Sequence, residues 1–380
     1  VTTFVRCSRC LIPTTRPSTE FRDGLCSACI CYDRRKQIDW VERERQFIEL
    51  IRSAPKNNSG YHCIVASSGG KDSHAQVLKI LELGFKPLIV TAQTCSLTPV
   101  GHMNIENLRR FAPTIVYEYD MAVRRKLNIL GQDLVGDLSW PEHVAIFSAP
   151  FRVAKDLGIS VVLYGENQNA EYGGPLDVAG EHRMTRRWIA EHGGHLGLRP
   201  SDMVGMDSIT EGDMEPYTLP DDEAMEEIQA LFMGAFFAWN SQANAEVALK
   251  NGMQAQLPTR ANWWFFENQD CFLTGIHDFL GFLKYGYGRL CAQISVDLRY
   301  GGLISREDAY RKVKERDGLF PLNYMGKGIL EILDDLGVSP GWFLDSCNRF
   351  MNKELFVEDH LEWGQDLTLR EFAESRMAAE

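Results

Sequence analysis

Tyr61-His62-Cys63-Ile64-Val65-Ala66-Ser67-Ser68-Gly69-Gly70-Lys71-Asp72-Ser73 reads as an apolar strand running into a glycine turn, and the residues from His74 to Leu83 continue as a helical pattern. Adjacent glycines let a backbone pass close to a phosphate, and a helix start offers unpaired N–H groups at the positive end of a dipole. Lys71 adds a mobile cation, and Ser68 and Ser73 add hydroxyl donors. By composition and position the stretch is an anion cradle. It is not the Gly-x-x-x-x-Gly-Lys-[Ser/Thr] phosphate loop, because its glycines are adjacent. The competing structural reading is a Gly-Gly turn with Asp72 or Ser73 serving only to cap the helix.

Outward from this stretch, strands and helices alternate. A helix over 72–83 stops at Gly84, and a strand follows over 87–92. A helix over 101–111, a strand over 114–119, helices near 121–130 and 141–157, and a strand over 160–163 continue the pattern. A fifth strand is expected at Glu215-Pro216-Tyr217, with an apolar helical stretch from Met225 to Trp239 after it. Such alternation predicts an α/β fold with a parallel five-stranded sheet covered on both faces. In these sheets ligands bind beyond the carboxyl ends of the strands. Adenine and ribose are therefore expected between the first two strand ends, near Ser67, Ala92 and Gln93, with Gly165-Glu166-Asn167 leaving the fourth strand nearby.

Cys7-Ser8-Arg9-Cys10 and Cys26-Ser27-Ala28-Cys29 are two CxxC pairs 15 residues apart. This lies within the spacing of four-thiolate zinc modules, and four thiolates leave no open coordination position, so the expected zinc is structural. Cys31 is a possible substitute ligand. The other cysteines form no further CxxC, which is intracellular usage. Domain boundaries follow: a zinc-ribbon-like module over 1–37, a nucleotide-binding domain over 38–235 carrying an insertion over 166–213, and a helical region over 236–380.

The formal net charge of −12 supplies no basic field for a polyanion, so nucleic acid is disfavoured as a partner. No apolar run approaches the ~20 residues of a membrane span, and Val1-Thr2-Thr3-Phe4 lacks a signal-peptide layout. A cytoplasmic location without a membrane partner is expected.

The insertion is polar, glycine-rich and aromatic, running through Glu166, Asn167, Glu171 and Tyr172 to Arg183, Arg186 and Arg187. That composition suits a lid contacting a polar substrate, with arginines for phosphate or carboxylate, or equally a solvated loop. Further on, Thr274-Gly275-Ile276-His277-Asp278 opens an aromatic helix that also carries Lys284. His277 and Asp278 are adjacent, so they point about 100° apart and are not expected to pair with each other. The tail over 368–380 is expected to fray.

Ser68-Gly69-Gly70-Lys71-Asp72-Ser73 resembles the Ser-Gly-Gly-x-Asp-Ser signature of the PP-loop superfamily, the N-type ATP pyrophosphatases. Taken with the CxxC pairs, Gly165-Glu166-Asn167, Glu171-Tyr172-Gly173-Gly174-Pro175, Leu198-Arg199-Pro200, Thr274-Gly275-Ile276-His277-Asp278 and Asn352-Lys353-Glu354-Leu355-Phe356, nearly the whole chain resembles the N-acetyl sugar amidotransferase family. The resemblance implies an adenine nucleotide alpha hydrolase-like sheet and ATP and Mg²⁺ as cofactors. It also implies an acetamido sugar or nucleotide-sugar substrate converted to an acetamidino product. Lys71, Asp72 and Ser73 would be catalytic, with Ser67, Ser68, Gly69, Gly70, Ala92, Gln93 and Gly165 around the nucleotide. Glu166, Asn167, Glu171, Tyr172, Arg187, His277, Asp278 and Lys284 would face the substrate, and Asp72 is a candidate Mg²⁺ ligand. No segment resembles a glutaminase, so a separate ammonia-supplying subunit is implied; a homo-oligomer is possible. Sulfur transfer to tRNA or a metabolite is the alternative use of a PP-loop beside CxxC pairs. The cradle reading further predicts that Lys71→Ala stops AMP formation and leaves the fold intact.

Overall fold

The structure, a computed structural model, describes residues 4–302 and 304–369; most of the expected frayed tail lies outside the described residues. Its main sheet contains β1 (Cys63–Ala66), β2 (Pro87–Ala92), β3 (Thr114–Tyr117), β4 (Val161–Tyr164), β5 (Arg183–Met184) and β6 (Gln229–Phe232), in the order β3-β2-β1-β4-β6-β5. Five strands run parallel, and β5 is an antiparallel edge on β6. The chain therefore leaves β1 toward β2 on one side and reaches β4 on the other. That reversal makes the carboxyl end of β1 a topological switch point, the place where open α/β sheets hold ligands.

The helices used below are α1 (Ser27–Arg35), α2 (Trp40–Ser53), α3 (Lys71–Glu82), α4 (Pro99–Leu108), α5 (Met121–Val135), α6 (Trp140–Leu157), α7 (Ser241–Lys250), α8 (Thr274–Tyr285) and α9 (Arg289–Arg299). Alternate residues of β1 enter two different apolar layers. Ile64 packs with Phe147, Phe151 and Ala154 of α6, whereas Cys63 and Val65 pack with Phe47 and Ile51 of α2 and Val77 and Ile80 of α3. Both faces are dry, and each such aliphatic side chain contributes ~1.5–3 kcal/mol by leaving water. The start of α2 is capped by the Asp39 carboxylate, which accepts from the N–H groups of Val41 and Glu42.

Two expectations in the second half of the sheet are corrected. Glu215–Tyr217 is a 3-10 turn rather than a strand, with Pro216 inside it and Tyr217 buried against Arg124. The strand beside β4 is β6, inside the stretch that reads as helical. A short helix, Asp222–Glu227, capped by Asp221, ends just before it. Ala230, Leu231 and Phe232 are buried on both faces, and a continuous apolar run carries no periodicity to separate strand from helix. The sheet thus has six strands, and the excursion between β4 and β6 is longer than expected.

The amino-terminal module is a knuckle at Cys7–Cys10, closed by the Cys7 N–H on the Ile12 carbonyl at 2.9 Å, then a two-residue hairpin pairing Phe21–Arg22 with Leu25–Cys26, then α1. It packs between the excursion and the carboxyl-terminal helices. The Gly174 N–H donates to Ser27 Oγ (3.1 Å) and Leu176 N–H to the Glu20 carboxylate (2.8 Å) on one side. On the other, Leu11 N–H donates to Ser295 Oγ (3.1 Å) and Arg306 to the Cys7 carbonyl (3.0 Å). No helix among the described residues is long and apolar enough to cross a membrane.

Candidate active site

The glycine turn folds because Gly69 takes φ +85°, a left-handed conformation that side chains resist, directly beneath Ile105 of α4. Ser67 Oγ accepts from the Gly69 N–H (3.1 Å), and Ser73 Oγ accepts from the Ser68 N–H (3.2 Å), which closes the turn on itself. Gly70 is the N-cap of α3 and no side chain caps that helix. Its first-turn N–H groups therefore retain the anion-binding character of an open helix start. Ser68 through Ser73 line a cleft of about 560 Å³ at the carboxyl end of β1.

Lys71 is not a mobile cation. It is 5% exposed and held between Asp72 Oδ2 (2.6 Å) and Glu267 Oε1 (2.8 Å). Burial works against its charge, but Asp72 and Glu267 outweigh burial and hold its pKa well above the ordinary lysine value. The partners are themselves anchored: Asn244 of α7 donates to Asp72 (2.8 Å), and Gln293 of α9 donates to Glu267 (2.9 Å). Glu166 faces the same group of charges. Burial first, and then Asp72, push its carboxyl up to about 8. Asp270, also at the cleft, is raised to about 6 by burial.

Across the cleft, α8 and α9 supply the opposite wall. His277 and Asp278 point apart, as adjacent helical residues must. Asp278 takes the Arg289 guanidinium through Nη2 (2.7 Å) and Nε (3.1 Å). His277 Nδ1 lies 2.9 Å from Asp137 Oδ1, and His143 Nδ1 lies 3.2 Å from Asp137 Oδ2. The two imidazoles meet edge to face at 5.2 Å. Lys284 donates to the Gly136 carbonyl (2.9 Å), and burial lowers its pKa despite the nearby Asp137. One wall of the cleft is thus rich in carboxylates and the other in imidazole, ammonium and guanidinium groups.

Cys7, Cys10, Cys26 and Cys29 converge with no exposure, their sulfurs all within 4.8 Å of one another. The Cys26 N–H points at Cys7 Sγ (3.3 Å), and the buried Arg299 guanidinium keeps its charge, against burial, through Cys10, Cys29, Cys26 and Glu171. Four sulfurs with an N–H donor and a compensating cation fit a closed tetrahedral zinc centre. Cys31 stands apart, packed with Leu176 and Ala179.

Several residues expected at the substrate lie elsewhere. Glu171 is buried in an ion pair with Arg35 of α1, and Arg299 of α9 donates to its carbonyl, so it ties the excursion to its neighbours. Asn167 caps the short helix Gln168–Glu171, accepting from Asn169 N–H at 3.0 Å and donating to the Val178 carbonyl at 3.0 Å. Arg187 sits on an exposed helix face with Glu191, and Arg186 pairs with Asp222. Polar composition marked these positions, and local pairing satisfies them. Gln93 accepts from the Tyr119 N–H, Ala92 packs beneath the sheet end, and Gly165 fits closely under Trp239 and Gln76. Ser67 serves the turn rather than the cleft. Tyr172, Glu166, His277, Asp278 and Lys284 do line the cleft. Asp137, His143, Glu267 and Asp270 join them unannounced, each carried in by a loop or helix start without a motif.

Residues 261–368, which include α8 and α9, match the family described as LPS biosynthesis protein WbpG-like, C-terminal domain. The matched segment supplies His277, Asp278, Lys284 and Arg289 of the far wall, together with Asp270 and Glu267, the anchor of Lys71. No curated protein matches the chain. The likeness is to that domain and covers this segment.

Proposed function

We propose that this protein is an ATP-dependent amidotransferase that adenylates the amide oxygen of an acetamido sugar or nucleotide-sugar and then replaces AMP with ammonia to give an acetamidino group. The observation that carries this reading is the uncapped Ser68–Ser73 turn at the switch point of the sheet, opening into a cleft whose far wall matches a surface-sugar biosynthesis family. An amide carbon is a poor electrophile, so its oxygen must first become a leaving group. Attack of that oxygen on the α-phosphorus of ATP forms the O–P bond and expels pyrophosphate. Ammonia then adds to the activated carbon, a proton leaves the nitrogen, and C–O cleavage releases AMP.

The first-turn N–H groups of α3 and the Ser73 hydroxyl would receive phosphate oxygens, and Lys71, kept ionised by its two carboxylates, adds positive charge beside them. Asp72 and Glu166 are the residues that would hold Mg²⁺: burial, and then the charge of Asp72, raise Glu166, and a divalent cation would relieve both. Mg²⁺ bound there would neutralise the departing pyrophosphate. Ammonia would come from a separate glutaminase subunit.

The test is mass spectrometry after incubation with ATP, an ammonium salt and a panel of acetamido nucleotide-sugars. Amide-to-amidine conversion lowers the acceptor by about one mass unit, whereas sulfur for oxygen raises it by about sixteen. AMP formation with the first change supports the proposal; the second change, or no AMP with any acceptor, overturns it.

A further inference from the structure

We infer that Asp137, His143 and His277 form a second metal site, for a first-row divalent transition cation, distinct from the thiolate centre. Three separate elements bring these residues together: Asp137 lies in the turn between α5 and α6, His143 in the first turns of α6, and His277 on α8. Their ligand atoms lie within 4.8 Å of one another. The carboxylate is 4% exposed and presents one oxygen to each imidazole, at 2.9 Å and 3.2 Å. His143 Nδ1, although buried and this close, makes no hydrogen bond. The nitrogen lies beside the carboxylate without the geometry of an Asp–His hydrogen bond, an arrangement that a shared cation would complete.

The surroundings suit a cation. The Ser139 N–H fixes Asp137 Oδ1 at 2.9 Å, the outer contact that steadies a ligating carboxylate. The neighbouring Lys284 ammonium is turned to the carbonyl oxygens ending α5 rather than into the trio. Two imidazoles and one carboxylate favour Zn²⁺, Fe²⁺ or Co²⁺ over Mg²⁺, which prefers oxygen ligands. All three residues line the cleft, so a cation held by them would sit at its wall. The assignment stands on the ligand geometry and does not depend on the proposed amidotransferase reaction.

Titrating Co²⁺ into full-length protein with zinc already in the thiolate centre tests it. One added equivalent with visible d–d absorption and no sulfur-to-cobalt charge-transfer band is expected. His143→Ala and His277→Ala each weaken that binding by more than about 100-fold, beyond the ~10–100-fold typical of outer contacts. Asp72→Asn, which alters the separate carboxylate pair proposed for Mg²⁺, leaves the histidine-dependent binding within about twofold. Thiolate zinc content and thermal melting confirm that each variant is folded; where an alanine variant fails this check, His143→Gln and His277→Gln decide. Absence of the second cobalt equivalent, or a second equivalent that survives loss of both histidines, overturns the assignment.

Discussion

Lys71 sits where removing its charge strands two carboxylates, Asp72 and Glu267, in a mostly dry environment. Breaking a buried ion pair from one side costs ~3–5 kcal/mol, a large share of the ~5–15 kcal/mol that holds a typical domain together. Lys71→Ala is therefore expected to lower the urea midpoint markedly, contrary to the simple cradle picture in which only catalysis suffers. An unchanged midpoint would place the lysine outside the network. Glu166 behaves oppositely. Its folded-state pKa is raised from 4.5 to about 8, so the stability it allows is fully present below 4.5 and is lost as pH rises through about 8. Ligand-free Glu166→Gln should melt higher than the parent at about pH 9, with the gap closing toward pH 4.5; parallel melting curves across that range would contradict the assignment. The loop residues were legible because six of them form one contiguous pattern. Asp137 and His143 were not: nothing local distinguishes an aspartate after Gly136 or a histidine in a helix start, and only α8 folding over them gives either a role.

At the scale of elements, the two loop glycines have different duties. A Cβ on Gly69 would adopt φ +85° and meet Ile105 Cγ1 at 3.2 Å, whereas one on Gly70 would meet only Ser68 Oγ at 3.5 Å. Gly69→Ala should cost ~1–2 kcal/mol of stability through the left-handed backbone. Gly70→Ala should leave the ligand-free protein within ~0.5 kcal/mol of the parent yet weaken ATP binding, because the new methyl lies over the open helix start. Chemical denaturation and calorimetric ATP titration separate the two; equal stability losses would refute the distinction. The strands β1 to β4 were readable from the alternation of apolar runs, helical stretches and turns, and Asp39 and Asp120 cap helices among them. β6 was not, since Ala230 to Met233 is a continuous apolar run and only pairing with β4 decides its state.

For the whole molecule, the thiolate centre decides more than its own fold. It clamps the excursion through Arg35–Glu171 and α9 through Leu11–Ser295, so it braces both walls of the cleft from one side. Structural zinc in small modules binds with an apparent ~10–16 kcal/mol, comparable to or greater than the stability of an entire domain. Cys26→Ser should abolish the bound zinc, lower the melting temperature, and speed amide hydrogen exchange at residues 171–176 and 289–299 while β1 to β3 stay protected. Zinc analysis with exchange mass spectrometry checks this, and protection lost uniformly across the chain would argue against a local brace.

The separation of the two halves of that brace also sets a clock. Arg6 bonds Cys291, and Leu11 bonds Ser295, across 285 and 284 positions of chain. At ~5–20 residues per second of synthesis, the knuckle waits roughly a quarter of a minute to a minute for its partners to leave the ribosome. During that interval the glycine turn can exist while the wall bearing Glu267 and His277 does not. A nascent chain thus passes through a stage in which the glycine turn faces solvent without the wall that encloses the cleft in the finished fold.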